Sequence, residues 1–160
     1  MNVRQNVYWS KEVKIITIIV TAILLFAVPN LIKNIGVLSS LALTLIMVTF
    51  AVCILNAPLY VTIDKSRFIL KKVLGKVVIK HDDITEVDLY ASKYGSIRLF
   101  GSGGFFGYLG IFSAPPLGKY IAYIGDRKQT FFIKTQKGKT YVFSCKNAVS
   151  VVETIKNNTP

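Results

Sequence analysis

The sequence predicts a two-helix transmembrane hairpin followed by a run of short, mainly antiparallel β-strands in a strongly bent sheet, whose open end a C-terminal helix can cover. Three observations predict it. Residues 15–55 are almost wholly apolar, with Lys33 the one charged residue among them. From Leu59 onward, short runs of alternating apolar and polar residues are separated by turns rich in Gly, Asp and Lys. Near the end, Ala148, Val151, Val152 and Ile155 fall at i, i+3, i+4 and i+7, the stripe of an amphipathic helix.

The apolar block divides at the polar interruption 30–36, NLIKNIG, into Ile15–Ile32 (18 residues) and Val37–Leu55 (19 residues). As a helix, each is long enough to cross about 30 Å of hydrocarbon. The linker permits only a tight reversal. Pro29 removes a backbone donor in the last turn or so of the first span and ends or kinks it there, and Gly36 punctuates the turn. Residues 1–14 form a short N-terminal segment. Its basic residues, Arg4, Lys11 and Lys14, resemble the start of a secretory signal. The apolar run is too long for one, no small-residue cleavage site follows Pro29, and a second span comes at once.

Basic residues set the orientation. Arg4, Lys11 and Lys14 precede the first span, only Lys33 lies between the spans, and Lys65, Arg67, Lys71 and Lys72 follow the second. Both termini are therefore expected on the cytoplasmic side of a cell membrane, with the Lys33 turn outside. Tyr8, Trp9 and Tyr60 suit the aromatic belt on that same side. Neither span holds Asp, Glu, Arg or His. Thr17, Thr21, Ser39, Ser40, Thr44 and Thr49 are hydroxyls that bond back along a helix, so the hairpin reads as an anchor rather than an ion or proton path.

Pro58 leads directly into the strand Leu59–Ile63, leaving no flexible linker. Residues 64–67 make a turn and Phe68–Leu74 return. Gly75 and Lys76 turn again into Val77–Lys80. An aspartate cap before Ile84, Thr85 and Glu86 predicts one helical turn, followed by a strand over Val87–Tyr90. Ile97–Phe100, Lys119–Ile124, Gln129–Thr135 and Lys139–Ser144 are further strands, and Asn147 caps the last helix.

Little catalytic chemistry is on offer. The two cysteines, Cys53 and Cys145, fall in a span and in a strand, and no Cys/His spacing suggests a metal. His81 stands beside Asp82 and Asp83, but no second histidine and no placed Ser or Cys nucleophile accompanies them. No catalytic residue, metal or cofactor is expected. The chain carries a net charge of +12, with 16 Lys and Arg against 7 Asp and Glu from residue 59 onward. Those basic residues are dispersed, and no recognition helix or zinc motif argues for nucleic acid. Tethering beside a bilayer favours anionic lipid, at about 1 kcal/mol per basic group.

The stretch Gly101–Phe112, GSGGFFGYLGIF, holds five glycines. It is neither a P-loop, since no Gly-Lys-Ser/Thr follows, nor a dinucleotide fingerprint, since the glycines at 101, 103 and 107 miss that spacing by one. Two readings stand. In one, glycines allow sharp turns while the aromatics fill the core. In the other, Phe105, Phe106, Tyr108 and Leu109 sit at a loop tip that enters the membrane or grips a partner.

Residues 59–157 resemble the bacterial pleckstrin-homology-like domains, which are often attached to membrane helices. The resemblance rests on FGSGGFFGYLGIF, then GKYIAYIGDRKQTFFIKTQKGKTYVFS, then the helix from Asn147. It implies a pleckstrin-homology-like barrel closed by a helix, in a bacterial multi-pass membrane protein, and a binding module rather than an enzyme. The better-known pleckstrin-homology domains bind lipid headgroups through a basic first hairpin. The corresponding residues here are Lys65, Arg67, Lys71, Lys72 and Lys76. The partners this implies are the bilayer itself, anionic lipid headgroups, and a protein partner or second copy. The alternative is a structural or regulatory subunit that assembles with a membrane complex through its helices.

Overall fold

The computed structural model describes residues 3–33, 36–91 and 95–158. Asn34 and Ile35 of the expected reversal, and Thr159 and Pro160 of the tail, lie outside the described residues. In chain order the elements are β1 (Val3–Asn6), α1 (Lys11–Lys33), α2 (Val37–Asn56), β2 (Pro58–Ile63), β3 (Arg67–Lys72), β4 (Lys76–Lys80), a 3-10 turn (His81–Asp83), β5 (Ile84–Leu89), β6 (Ile97–Gly103), β7 (Tyr108–Ala114), β8 (Gly118–Ile124), β9 (Thr130–Thr135), β10 (Thr140–Ser144) and α3 (Ala148–Asn158).

The barrel that the resemblance implies is not closed. The strands form two sheets, one of four in the order β1-β2-β3-β4 and one of six in the order β5-β9-β10-β8-β7-β6. The 3-10 turn lies between β4 and β5, where the chain passes from one sheet to the other. The layers sandwich a shared core. Pairing is antiparallel except for β10 against β8, which run parallel with Val142 opposite Ala122. The helical turn expected at residues 84–86 sits at 81–83 instead, because Ile84–Leu89 pairs with β9. Lys76, expected in a turn, opens β4 opposite Lys71.

A second correction concerns the N-terminus. Residues 1–14 are not merely a leader to the first span: Val3–Asn6 pairs with β2, with Val3 opposite Ile63 and Asn6 opposite Tyr60. The pairing runs on through the Val7 N–H, which donates to the Leu59 carbonyl at 2.9 Å, and the Lys146 N–H donates to the Asn6 carbonyl at 2.9 Å. The helical pair is thus an insertion between two adjacent strands of one sheet, and both of its ends belong to the same domain.

Both helices are long and apolar enough to cross a membrane, and no part of the most apolar 18-residue stretch of either is buried. Phe26 is 78% exposed and Leu38 is 82% exposed. Exposed apolar surfaces of this kind mark membrane or protein contact sites. α1 continues through Pro29 to Lys33, and the Asn30 side-chain amide donates to the Phe26 carbonyl at 2.9 Å beside the proline. Thr17, Thr44 and Thr49 each bond to the carbonyl four residues earlier, which satisfies their hydroxyls within the helix.

α3 behaves as its stripe predicts. The Asn147 side chain caps it by accepting the Ser150 N–H at 3.1 Å, and Ala148, Val151, Val152 and Ile155 are buried. They join Val61, Phe68 and Leu70 of the first sheet and Val87, Phe131 and Ile133 of the second in one core. Phe68 is its centre, with ring centroids 4.8 Å from Phe143 and 5.9 Å from Phe131. A smaller cluster of Tyr90, Phe112, Tyr120, Phe132 and Val142 fills the other side of the six-stranded sheet. Within it the Thr130 hydroxyl donates to the Tyr90 carbonyl.

Candidate functional site

The helices meet the sheets at three places. At the start of α1, Ser10 caps the helix through its hydroxyl, which accepts the Val13 N–H at 3.3 Å, while its own N–H donates to the Gly125 carbonyl at 2.9 Å. At the end of α2, the turn between β3 and β4 folds back: the Leu74 N–H donates to the Leu55 carbonyl at 2.9 Å and the Val73 N–H to the Ala57 carbonyl at 3.1 Å. The third contact is the tip between β6 and β7.

That tip is what the glycine-aromatic stretch builds. The expected loop over 101–112 is mostly strand, and only residues 104–107 turn. Gly101 and Gly110 are opposite each other in the ladder, at φ +114° and +117°. A Cβ on either would strike the carbonyl oxygen across from it, at Leu109 and Phe100 respectively. The two strands approach so closely only because both positions lack side chains. Phe106, at φ 56°, gives its N–H to the Thr17 hydroxyl at 3.1 Å. Its ring meets Trp9 at 5.5 Å and Phe50 of α2 at 5.9 Å, and Phe105 also meets Phe50, at 5.5 Å. The tip therefore grips the chain's own two helices.

Tyr108 and Leu109 lie beyond the tip, in β7. Tyr108 is half-buried under the Arg127 guanidinium, 3.9 Å from its ring centroid, and Leu109 is buried in β7.

The five basic residues of the first hairpin do not form one patch. Lys65 and Arg67 lie at the β2–β3 turn, where Arg67 pairs with Asp64 at 3.6 Å. Lys71, Lys72 and Lys76 flank the β3–β4 turn at the end of α2. A strand separates the two groups by about 17 Å, at about 3.3 Å per residue. Val73 and Leu74, exposed between the lysines of the second group, add an apolar tip at the helix end. Lys72 reaches Asn56 Oδ1 at 2.8 Å and hangs over the Tyr123 ring at 5.6 Å. Burial, and after it the neighbouring Tyr141, push the Tyr123 phenol above its usual range, so the ring under the ammonium stays neutral.

Between the helices and the six-stranded sheet lies a groove of about 740 Å³. Ile16, Val20, Val48 and Val52 form its helical wall, and Phe100 and Leu109 its sheet wall. Arg98, Asn56 and Tyr123 also line it. Sequence reasoning missed Arg98, Thr17, Phe50 and Tyr123, because nothing local marks them and only the docking of β6 and β7 onto the helices brings them together.

His81 is closed off from solvent. The ring is 2% exposed, and neither of its nitrogens has a hydrogen-bond partner among the described residues. Asp82 is exposed, and its backbone carbonyl serves instead to accept the Gln136 side-chain amide at 2.7 Å. Cys145 is buried and its thiol is pushed up to about 12 by that burial, which leaves it inert as a nucleophile. Among the described residues, no group of three His, Cys, Asp or Glu comes together.

A family model for the bacterial PH domain matches residues 59–159. No curated protein and no solved structure matches the chain.

Proposed function

Because the chain belongs to the bacterial PH domain family, we propose that it is a non-enzymatic binding module anchored at the cytoplasmic face of the cell membrane. There it contacts anionic lipid headgroups or a protein partner. The observation that carries this reading is the insertion of two long apolar helices, each with a largely unburied apolar stretch, between adjacent strands β1 and β2. With both helix ends built into the sheet and the β6–β7 tip gripping Thr17 and Phe50, the domain has no tether on which to wander. It is held against the headgroups, with Lys71, Lys72 and Lys76 at the helix end. The excess of Arg and Lys flanking the outer ends of the helices over the single Lys33 between them supports a cytoplasmic position for that side.

A second reading, a subunit of a membrane complex, is favoured by β6. It is an edge strand, and Ile97, Leu99 and Phe100 on it are 71%, 55% and 74% exposed. An unpaired edge carrying exposed apolar side chains suits a protein partner or a second copy.

Alkaline carbonate extraction with protease protection tests the anchored module. The chain should stay in the membrane pellet. Protease should cut the domain in inverted vesicles and spare it in intact spheroplasts. Release by carbonate, or cutting from outside, refutes the reading.

A further inference from the structure

The groove between the helices and the six-stranded sheet pairs apolar walls with nearby cations. Its long walls are side chains of the two apolar helices, Ile16, Val20, Val48 and Val52, faced by Phe100 and Leu109. Its volume of about 740 Å³ lies within the range of about 300–1,000 Å³ common to small-molecule sites. The helix residues that wall it sit within the first two turns or so of the apolar block in α1 and the last two in α2. In a bilayer these are the turns nearest the headgroups.

One cation lines the groove and a second stands beside it. Arg98 lines the groove, and its side chain runs along β6 toward Gly103, where a Cβ would come within 2.8 Å of Nη1. The missing side chain at Gly103 leaves the guanidinium its place. Among the described residues Arg98 makes no ion pair; the three that form are Arg67–Asp64, Lys134–Glu86 and Lys156–Asp88. Lys72 stands at Asn56 and Tyr123, two further residues of the lining. The lining holds no Asp or Glu. A mostly apolar groove lined by Arg98, with Lys72 at its Asn56 and Tyr123, is complementary to one kind of molecule: a long hydrocarbon chain ending in a negative charge.

From this we infer that the groove holds one anionic phospholipid of the surrounding leaflet. One acyl chain lies between the helices and β6–β7, and the phosphate is held between Arg98 and Lys72. The inference rests on the anchored reading above and gives it a specific ligand site, distinct from the Lys65–Arg67 turn at the far end of β2 and β3. Arginine suits the role, since its planar fork takes two phosphate oxygens at once. The walls supply affinity through buried methylene groups, and the cations select the headgroup.

The test uses the full chain, reconstituted into vesicles of equal phosphatidylglycerol and phosphatidylcholine. It is then re-extracted in mild detergent, washed, and its retained lipid measured by mass spectrometry. The expected result is about one phospholipid per chain, enriched about thirtyfold in phosphatidylglycerol, as two cations at about 1 kcal/mol each beside an anionic headgroup would give. Arg98→Gln should cut the enrichment about fivefold, and Thr49→Trp, which fills the groove, should remove the retained lipid whatever its headgroup. Changing Lys65 and Arg67 to Gln should alter neither. Arg98 and Thr49 are both exposed, so neither change threatens the fold. An enrichment that survives Arg98→Gln, lipid that survives Thr49→Trp, or no retained lipid in the unaltered chain overturns the inference. Carbonate extraction separates the two failures. A chain that resists carbonate but retains no selected lipid sinks the groove alone, whereas a chain that carbonate releases sinks the anchored reading and the groove with it.

Discussion

A fragment that begins at Leu59 should fail to hold its fold, and rejoining β1 to it should restore stability. The fragment loses the ladder between Val3–Asn6 and Thr62, Val61 and their neighbours, together with the bonds from Val7 to Leu59 and from Lys146 to Asn6. That is roughly four to six hydrogen bonds, at about 1 kcal/mol each. Val3 and Val7 also pack on the main core. The combined loss, of order 5 kcal/mol, matches the lower end of the total stability of a small domain. It also turns β2 into an open edge. The remedy follows from the register. Val7 and Leu59 are bonded neighbours, so an Asn-Gly turn in place of residues 8–58 closes a two-residue hairpin. Thermal melts followed by circular dichroism should show a cooperative transition for the rejoined chain and none, or one far lower, for the fragment. Equal melting of the two would mean that β1 is incidental.

Gly110→Ala should free β6 from the sheet. The new methyl group meets the Phe100 carbonyl, which is backbone and cannot rotate aside, and φ +117° is hostile to any L side chain. The cost should exceed about 3 kcal/mol, the upper end for a strained backbone position. β6 is the edge of its sheet, so it can peel away while the core around Phe68 stays folded. The tip at 104–107 would then leave Thr17 and Phe50. Hydrogen exchange should rise sharply over residues 97–110 and stay unchanged in β9, β10 and α3. Gly138→Ala is the matched control: it has φ +71° with open space around it, and it should cost about 1 kcal/mol. Unchanged exchange in Gly110→Ala would mean that the close approach of the two strands is not real.

How much of this was legible depends on how local each cause is. The α3 stripe, its Asn147 cap and the apolar helices are written in consecutive residues, and the structure follows them. The β9–β10 hairpin was legible for the same reason, since Thr130–Ser144 alternates around a short turn. β1 was not. Its four residues, VRQN, show no apolar alternation, and what makes them a strand is β2, whose partner residues lie 54 or more positions away across two helices. The parallel match of β8 with β10 and the failure of the barrel to close are likewise set by long-range pairing. The basic residues of the first hairpin are plain in the sequence, but their spacing in space is set by the strand between Arg67 and Lys72, which puts the two groups at its opposite ends. The glycine-rich stretch did carry its message. Five glycines among aromatics in ten residues predict sharp turns, but only the tertiary contact shows that the aromatics turn toward Trp9 and Phe50.

The central claim is that the domain and its helices form one body, joined through β1, β2 and the β6–β7 tip. It is tested most directly by linking Trp9 to Phe106, whose rings lie 5.5 Å apart. Trp9→Cys and Phe106→Cys are combined in a chain whose Cys53 and Cys145 are changed to Ala, and native membranes are treated with a short bifunctional thiol reagent. The account predicts a rapid intramolecular cross-link in most chains, lost when Gly110→Ala is added or when the protein is unfolded in detergent. A pair that stays unlinked in folded membranes, while a control cysteine pair across β2 and β3 links readily, would contradict it.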